Sequence, residues 1–386
     1  MIMKKFILLL CLFVGAVCLC GCAGIPCQKT SAAMYQGKKI KTAFYVDRGS
    51  NGGGVLHLAR LLSYSPQLDV TLVHGEDLRN GKLKDFELLV MPGGSSKTQM
   101  VSMGEKGVEA LRDFVRNGGS YVGVCAGFHI TLNRKERARL LPYTYVPSAV
   151  GYKANVFMDL SDDGAKVLDV KAGRYLVTYS RGPIAKPEQW DQGKCRTLAL
   201  YKSSVGPVNR VGKSFFNTPA LIYGNFGKGK VIATSFHPEY RMETYELLYG
   251  CVYAVTGKKM TPVFPEKKFH PYRVLYHSGI ATARGNRFAI KDILELEKSP
   301  EIAVNFSLSL ASLDSSDIVV LPEGDKNALQ GLEKSGWLAI LTKFMDKGGK
   351  VLAVGSAWDK MPAHANLTRV PAKSSLVDGV LRAAQK

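Results

Sequence analysis

Residues 121–127 read Tyr-Val-Gly-Val-Cys-Ala-Gly, and the run is informative on both sides of its cysteine. Tyr121 to Val124 is a short apolar strand, Cys125 follows it at once, and a helical segment opens behind. A nucleophile at such a strand-to-helix turn is held in a strained conformation with its side chain presented outward. Small residues are needed two positions to either side, here Gly123 and Gly127, because strand and helix nearly touch. Placement at a helix N-terminus also favours thiolate over thiol. As a bare pattern this is weakly specific, and a buried structural cysteine packed between glycines is the competing reading. Context strengthens it, because the cysteine falls where a strand, a turn and a helix are each expected.

Upstream, Lys41 to Val46 reads as a first strand, Arg48 to Gly54 as a glycine-rich turn and Val55 to Leu62 as a helix. Gly52-Gly53-Gly54 lacks the Lys-Ser/Thr of a phosphate loop and is expected to be a tight turn. Val70 to Val73 and Phe86 to Met91 are further strands, the latter ending in Pro92-Gly93-Gly94. Gly104 to Arg116 has helical spacing, with Val108, Leu111, Phe114 and Val115 on one face, and Asn117-Gly118-Gly119 stops it. Strands alternating with helices at this spacing predict a parallel sheet covered on both faces. Residues 155–234 differ: short β-rich runs separated by Gly and Pro predict inserted strands. The last of them, Val231 to Ser235, leads into Phe236-His237-Pro238-Glu239, and Tyr240 to Thr256 reads as a closing helix. A catalytic thiol needs a base within reach, and the base needs an orienting acceptor. His237 and Glu239 supply both from one turn that Pro238 stiffens. His237 and Glu239 are better explained this way than as metal ligands, no paired Cys-x-x-Cys occurs, and no metal or cofactor is expected.

The carboxy-terminal part repeats the first. Residues 86–94 match residues 316–324, and the same offset carries Gly118-Gly119 onto Gly348-Gly349. Ala43-Phe44-Tyr45 matches Val274-Leu275-Tyr276 one residue further along. This predicts a duplicated α/β unit over 268–386. Cys125 falls on Gly355, so the second unit is read as a degenerate copy without the nucleophile, ending before any counterpart of the β-rich insert.

Taken in order, Met91-Pro92-Gly93-Gly94, Gly123-Val124-Cys125-Ala126-Gly127 and His237-Pro238-Glu239 resemble the class I glutamine amidotransferase-like superfamily. Within it the sequence is similar to proteins carrying the amino-terminal domain of eukaryotic biotin–protein ligases. Tyr179-Ser180-Arg181-Gly182-Pro183 and the Gly227-Lys228-Gly229-Lys230-Val231 approach to the histidine strand carry that narrower likeness. The resemblance covers about 40–258 and, more loosely, the second unit. It implies a flavodoxin-like sheet, a Cys125–His237–Glu239 triad, and an oxyanion hole from the Gly94 and Ala126 backbone N–H groups. Gly93, His129 and Arg181 are the candidate substrate contacts. His129 lies one helical turn past Cys125, with a satisfied helix histidine as the alternative. Arg181 is placed to grip a substrate carboxylate, with a surface arginine as the alternative. Glutamine-hydrolysing members usually carry a larger apolar residue where Ala126 stands and a Gln where His129 stands. No synthetase or biotin-ligase catalytic domain follows, so neither ammonia channelling nor biotinylation is expected.

The amino terminus sets the compartment. Lys4 and Lys5 precede an apolar run from Phe6 to Leu19, too short to span a bilayer comfortably and right for a signal-peptide core. Leu19-Cys20-Gly21-Cys22 resembles a bacterial lipobox, with Gly21 before a lipidated Cys22. The expected organisation is a signal peptide over 1–21, a tether over 22–39, the amidotransferase-like domain over 40–258 and the second unit over 268–386. A plain secretory signal or an uncleaved anchor is the alternative. Ala23 rather than Asp after the lipidated cysteine points toward the outer membrane, by analogy with lipoprotein sorting. The chain holds 52 Lys+Arg against 32 Asp+Glu in 386 residues, a net charge of +20, most of it in the first unit. Export removes nucleic acid as a partner and leaves anionic lipids or acidic envelope polymers for that charge, beside the reading of a merely solvated basic surface. Among the cysteines left after processing, Cys251 sits in an apolar run and is expected to be a buried free thiol.

Two functions from different classes follow. One is an envelope lipoprotein with a cysteine-dependent amidohydrolase or acyl-transfer site for an amide or peptide reachable outside the membrane. The other is a ligand-binding or scaffolding lipoprotein that kept the fold and lost turnover.

Overall fold

In the computed structural model the chain is described over residues 35–50, 52–146, 153–188, 195–203, 215–265, 272–277, 286–307, 313–324 and 327–385. Residues 1–34, which include the expected signal peptide, Cys22 and most of the expected tether, lie outside the described residues. The first unit opens β1 (Ile40–Tyr45), α1 (Gly52–Ser63), β2 (Leu68–Val73), α2 (Gly75–Arg79), β3 (Leu88–Met91), α3 (Ser96–Arg116), β4 (Ser120–Val124) and α4 (Ala126–Thr131). The insert follows as β5 (Tyr143–Val146), β6 (Lys153–Leu160), α5 (Asp162–Leu168), β7 (Gly173–Ser180), β8 (Ile184–Pro187), β9 (Cys195–Tyr201) and β10 (Pro219–Phe226). β11 (Gly229–Thr234) and α6 (Tyr245–Thr256) close the unit.

These strands build one nine-stranded sheet in the order β2-β1-β3-β4-β11-β10-β9-β6-β7. Its parallel part, β2-β1-β3-β4-β11, has the doubly wound order of flavodoxin-like folds, and the insert extends it with antiparallel strands. Alternation along each strand feeds two cores. Phe44, Val90 and Val122 meet α1 and α6 on one face. Tyr45, Leu89 and Tyr121 meet α2, α3 and α4 on the other. The expectation of a parallel sheet covered on both faces is met, with differences at element ends. The helix expected from Gly104 begins at Ser96, and Gly104 itself is a left-handed break inside it, with φ 64°. Gly52-Gly53-Gly54 is the first turn of α1 rather than a separate tight turn. Cys251 is free and fully buried in α6, and burial pushes its thiol pKa up.

The second unit comprises β12 (Tyr272–His277), α7 (Asn286–Leu296), β13 (Ile302–Ser307), β14 (Ile318–Leu321), α8 (Ala328–Lys334), α9 (Trp337–Asp346), β15 (Lys350–Val354), β16 (Leu367–Val370) and α10 (Leu376–Ala384). Its sheet runs β13-β12-β14-β15-β16, all parallel, in the same order as the parallel part of the first. The likeness reaches single contacts. Gly119 lies against the Phe114 ring so closely that no Cβ fits, and Gly349 lies against Phe344 in the same way at the same offset. Asp317 N–H donates to Arg273 C=O at 2.8 Å, as Glu87 N–H does to Lys41 C=O. β16 stands beside β15 where β11 stands beside β4, so the fifth parallel strand is present and the insert is absent. Both sheets belong to one compact unit over Gly37–Lys386. No helix among the described residues is long and apolar enough to cross a membrane.

Candidate active site

β4 ends at Val124, and Cys125 N–H donates to the Thr234 carbonyl of neighbouring β11 at 2.8 Å. The chain then turns sharply into α4, with Cys125 at φ 53° and ψ −96°. Such a conformation in a residue with a Cβ stores about 1–3 kcal/mol of strain. The flanking glycines permit the turn. A Cβ on Gly123 would lie 2.7 Å from the Gly127 carbonyl carbon, and one on Gly127 would strike the Met91 carbonyl oxygen.

β11 lies parallel and adjacent to β4, so the turn after β11 opens at the same edge of the sheet. His237 sits in that turn. Its N–H donates to Thr178 C=O of β7 at 2.8 Å, and its Nδ1 lies 2.7 Å from Glu239 Oε1. The side chains are 8% and 0% exposed. Burial opposes a charge on the imidazole, but the Glu239 carboxylate and Cys125 outweigh it and hold the His237 pKa well above its ordinary value. Glu239 Oε2 has no hydrogen-bond partner among the described residues. Gly93 forms the floor beneath the pair: a Cβ there would be 2.7 Å from His237 Cε1 and 3.4 Å from Cys125 Cβ. The Cys125 Sγ hydrogen bond goes to the Ser180 carbonyl at 3.6 Å.

A cavity of about 370 Å³ opens over these groups, lined by Gly54, Val55, Gly93, Gly94, Ser95, Cys125, Ser180, Arg181, His237 and Tyr240. The insert supplies one wall. Tyr179 Oη donates to Gly182 C=O at 2.7 Å and Ser235 Oγ to Pro183 C=O at 2.7 Å. These bonds pin the loop that carries Arg181 in the left-handed region, at φ 56°. Gly94 has φ 135°, and Ser95 N–H donates to Gly49 C=O at 2.7 Å beside the isolated Ser50–Gly94 bridge. The Ala126 N–H is the first of α4 and has no intrahelical acceptor.

The structure therefore brings Cys125, His237, Glu239, Gly93, Gly94 and Arg181 to one place. His129 is different. Its Nδ1 lies 2.9 Å from Ser96 Oγ and its ring packs on Tyr145, with centroids 4.5 Å apart, and it is not among the cavity-lining residues. The helical turn after Cys125 carries it to the α3 side, which corrects its reading as a substrate contact. Sequence reasoning missed Tyr240 and Ser180. The Tyr240 ring centroid lies 5.0 Å from that of His237 and 4.5 Å from the Lys153 ammonium. Burial, with Glu239 and Cys125 adding, pushes the Tyr240 phenol up to about 12, so it stays protonated. Its position directly after His237-Pro238-Glu239 was the available signal. Among the described residues no three His, Cys, Asp or Glu side chains converge into a metal-binding group.

Comparison with known proteins agrees with the motif reading. Residues 42–136 match the family described as "Biotin-protein ligase, N terminal". Over 177 residues, 42% of this chain, the sequence is 28% identical to the biotin–protein ligase of Schizosaccharomyces pombe, and the match spans 27% of that ligase's length. Among solved structures, PurLQS from Thermotoga maritima is similar at 19% identity with a TM-score of 0.43, covering 55% of this chain and 98% of that one. A glutamine amidotransferase structure is similar at 19% identity with a TM-score of 0.40 and the same coverage. Residues 42–136 are thus similar to the amino-terminal domain of biotin–protein ligases.

Proposed function

We propose that the protein is an envelope lipoprotein, anchored through Cys22, whose first unit hydrolyses or transfers the acyl group of an amide or peptide. The observation that carries this reading is the strained Cys125 held with His237 and Glu239 above Gly93. In the reaction, Cys125 Sγ attacks the carbonyl carbon and its proton passes to His237. Charge develops on the carbonyl oxygen, where the Gly94 and Ala126 N–H groups donate to it. His237, oriented by Glu239, returns the proton to the departing amine, leaving a thioester on Cys125. A water, deprotonated by His237, then attacks the thioester, the acid leaves, and the proton returns to sulfur. The Arg181 guanidinium at the cavity wall suits a substrate bearing a carboxylate near the scissile amide. The cavity's size suits a small molecule or the end of a peptide.

A ligand-binding lipoprotein without turnover is the second reading, favoured by the hydrogen bond from Cys125 Sγ to the Ser180 carbonyl at 3.6 Å. One experiment separates them. Full-length protein in mild detergent is treated with iodoacetamide, and Cys125 alkylation is followed by peptide mass. Rapid alkylation that falls on His237→Ala supports the enzyme. Slow alkylation indifferent to His237 selects the binding protein. Mass analysis of the amino-terminal peptide tests Cys22: a diacylglyceryl cysteine is expected, and an unmodified or uncleaved terminus overturns the anchor.

A further inference from the structure

We infer that the second α/β unit is a positioning module for the Cys125 site, acting through helix α1. The inference rests on the reaction proposed for that site, and its observations lie outside the triad. Helix α1 is apolar nearly all round, Gly-Gly-Gly-Val-Leu-His-Leu-Ala-Arg-Leu-Leu-Ser, as befits a helix covered on two sides. Leu58, Leu61 and Leu62 belong to the core of the first unit. Leu56 belongs instead to the core of the second, with Val274, Tyr276 and Ile293. The exchange is mutual, because Ile290 of α7 belongs to the core of the first.

Polar contacts fasten the same helix. Arg60 Nε donates to Glu297 Oε2 at 3.1 Å, Arg60 Nη2 donates to Glu297 Oε1, and Nη2 also reaches the Val304 carbonyl at 3.3 Å. The two side chains are only 19% and 24% exposed. A forked, half-dry pair of this kind fixes direction as well as distance.

The other end of α1 is the wall behind the triad. A Cβ on Gly54 would lie 2.8 Å from Tyr240 Oη and 3.0 Å from Glu239 Oε1. Val55 lines the cavity, and His57 meets the Tyr240 ring edge-on at 5.8 Å. Glu239 Oε2 has no hydrogen-bond partner among the described residues, so close packing against α1, rather than a second hydrogen bond, confines the carboxylate there. Gly54 and Arg60 are six residues apart, about 9 Å along the axis. A rigid helix of three turns is thus fastened to the second unit at one end and confines Glu239 and Tyr240 at the other. Through them it orients His237. The degenerate copy retains a task that needs no nucleophile of its own.

The test uses the full-length chain and two readouts: the alkylation rate of Cys125 across pH, and the ring titration of His237 by NMR. Arg60→Ala and Glu297→Gln are each expected to slow alkylation by about three- to thirty-fold and to move the His237 titration. Arg60→Lys should recover part of both. Arg273→Ala, which removes an exposed ion pair with Asp317 inside the second unit, should change neither. If Arg60→Ala fails to fold, Glu297→Gln, which keeps the side-chain shape, decides the question. Variants that melt lower but leave both readouts at wild-type values overturn the inference. Failure of the underlying chemistry is seen separately, as wild-type alkylation that ignores His237→Ala. The His237 titration then still reads the coupling.

Discussion

Gly93→Ala is the sharpest single perturbation of the site. The added carbon would stand 2.7 Å from His237 Cε1 and 3.4 Å from Cys125 Cβ. Favourable carbon–carbon separation is about 3.5–4.0 Å, so the imidazole must retreat by about 1 Å. It has little room to do so. The ring is 8% exposed, its Nδ1 is tied to Glu239, and its backbone N–H is tied to Thr178. Misplacement on the order of 1 Å costs roughly 10²-fold in rate, whereas overpacking costs about 1–3 kcal/mol of stability. The expected result is a folded protein whose His237-dependent alkylation of Cys125 falls roughly 100-fold. Peptide mass mapping gives the rate, and thermal unfolding on the same samples shows that the fold survives. A Gly93→Ala protein that melts cooperatively and alkylates at the wild-type rate would refute the idea that Cys125 and His237 work as a pair over this floor.

Three further outcomes are expected. Glu239→Gln removes the carboxylate that raises the His237 pKa, so the ring titration seen by NMR should move down toward the ordinary histidine range; an unchanged titration would detach Glu239 from His237. Cys125→Gly abolishes alkylation at that position and relieves strain, raising denaturant stability by about 1 kcal/mol relative to Cys125→Ala, and a lower value would mean no strain is stored there. His129, pushed down to about 4 by burial with Arg137 and Arg134 adding, is neutral in the fold while the unfolded chain protonates near 6.5. The unfolded state therefore takes up the proton first, and stability is lost as pH falls from about 6.5 to about 4, by at most about 3 kcal/mol. Urea unfolding at both ends of that window should show a shallower loss in His129→Phe, and an equal slope would rule His129 out as its source.

The parts of the fold carried by local pattern were legible in the sequence. Apolar strands ending in glycine, as at Met91-Pro92-Gly93-Gly94, and the helical stripe of Leu111 and Val115 place the parallel sheet, because period and turn chemistry are short-range signals. The proximity of Cys125 and His237 was legible for the same reason: each follows the end of a recognisable strand. His129 was misplaced because a helical turn fixes its height above Cys125 but not the direction its ring takes, and Ser96 and Tyr145 draw it to the α3 side. The contact between Tyr240 and Gly54 escaped notice because it joins α1 to the turn after β11, a long-range proximity with no local signature. The docking of the second unit was invisible for a related reason. Leu56 looks like any other apolar position of α1, and only the packing shows that it faces a different core from Leu58.

The two units differ in what stands at the ends of their equivalent strands. Strands β3 and β14, and β4 and β15, are equivalent, and the residues after them decide what each crevice holds. In the first unit bare Gly93 leaves room for His237 above it, and Cys125 stands at the elbow. In the second, Glu323 stands where Gly93 does, and its Cγ would lie 3.1 Å from a Cβ built on Gly355, the counterpart of Cys125. Trp358, 2% exposed, donates from its indole N–H to the Pro322 carbonyl at 2.9 Å and packs beside Gly324. Phe128, equally buried, is the counterpart of Trp358, so the difference at this edge is Glu323, which stands over Gly355 where the first unit has only Gly93 beneath Cys125. The insert completes the asymmetry, since its loop through Arg181 forms the second wall of the open crevice and has no counterpart beyond β15. Cys125, the bare Gly93 floor and the insert occur together in the first unit, and the described residues of the second carry none of the three. The second unit meets α1 through its own apolar face, where Val274, Tyr276 and Ile293 take in Leu56.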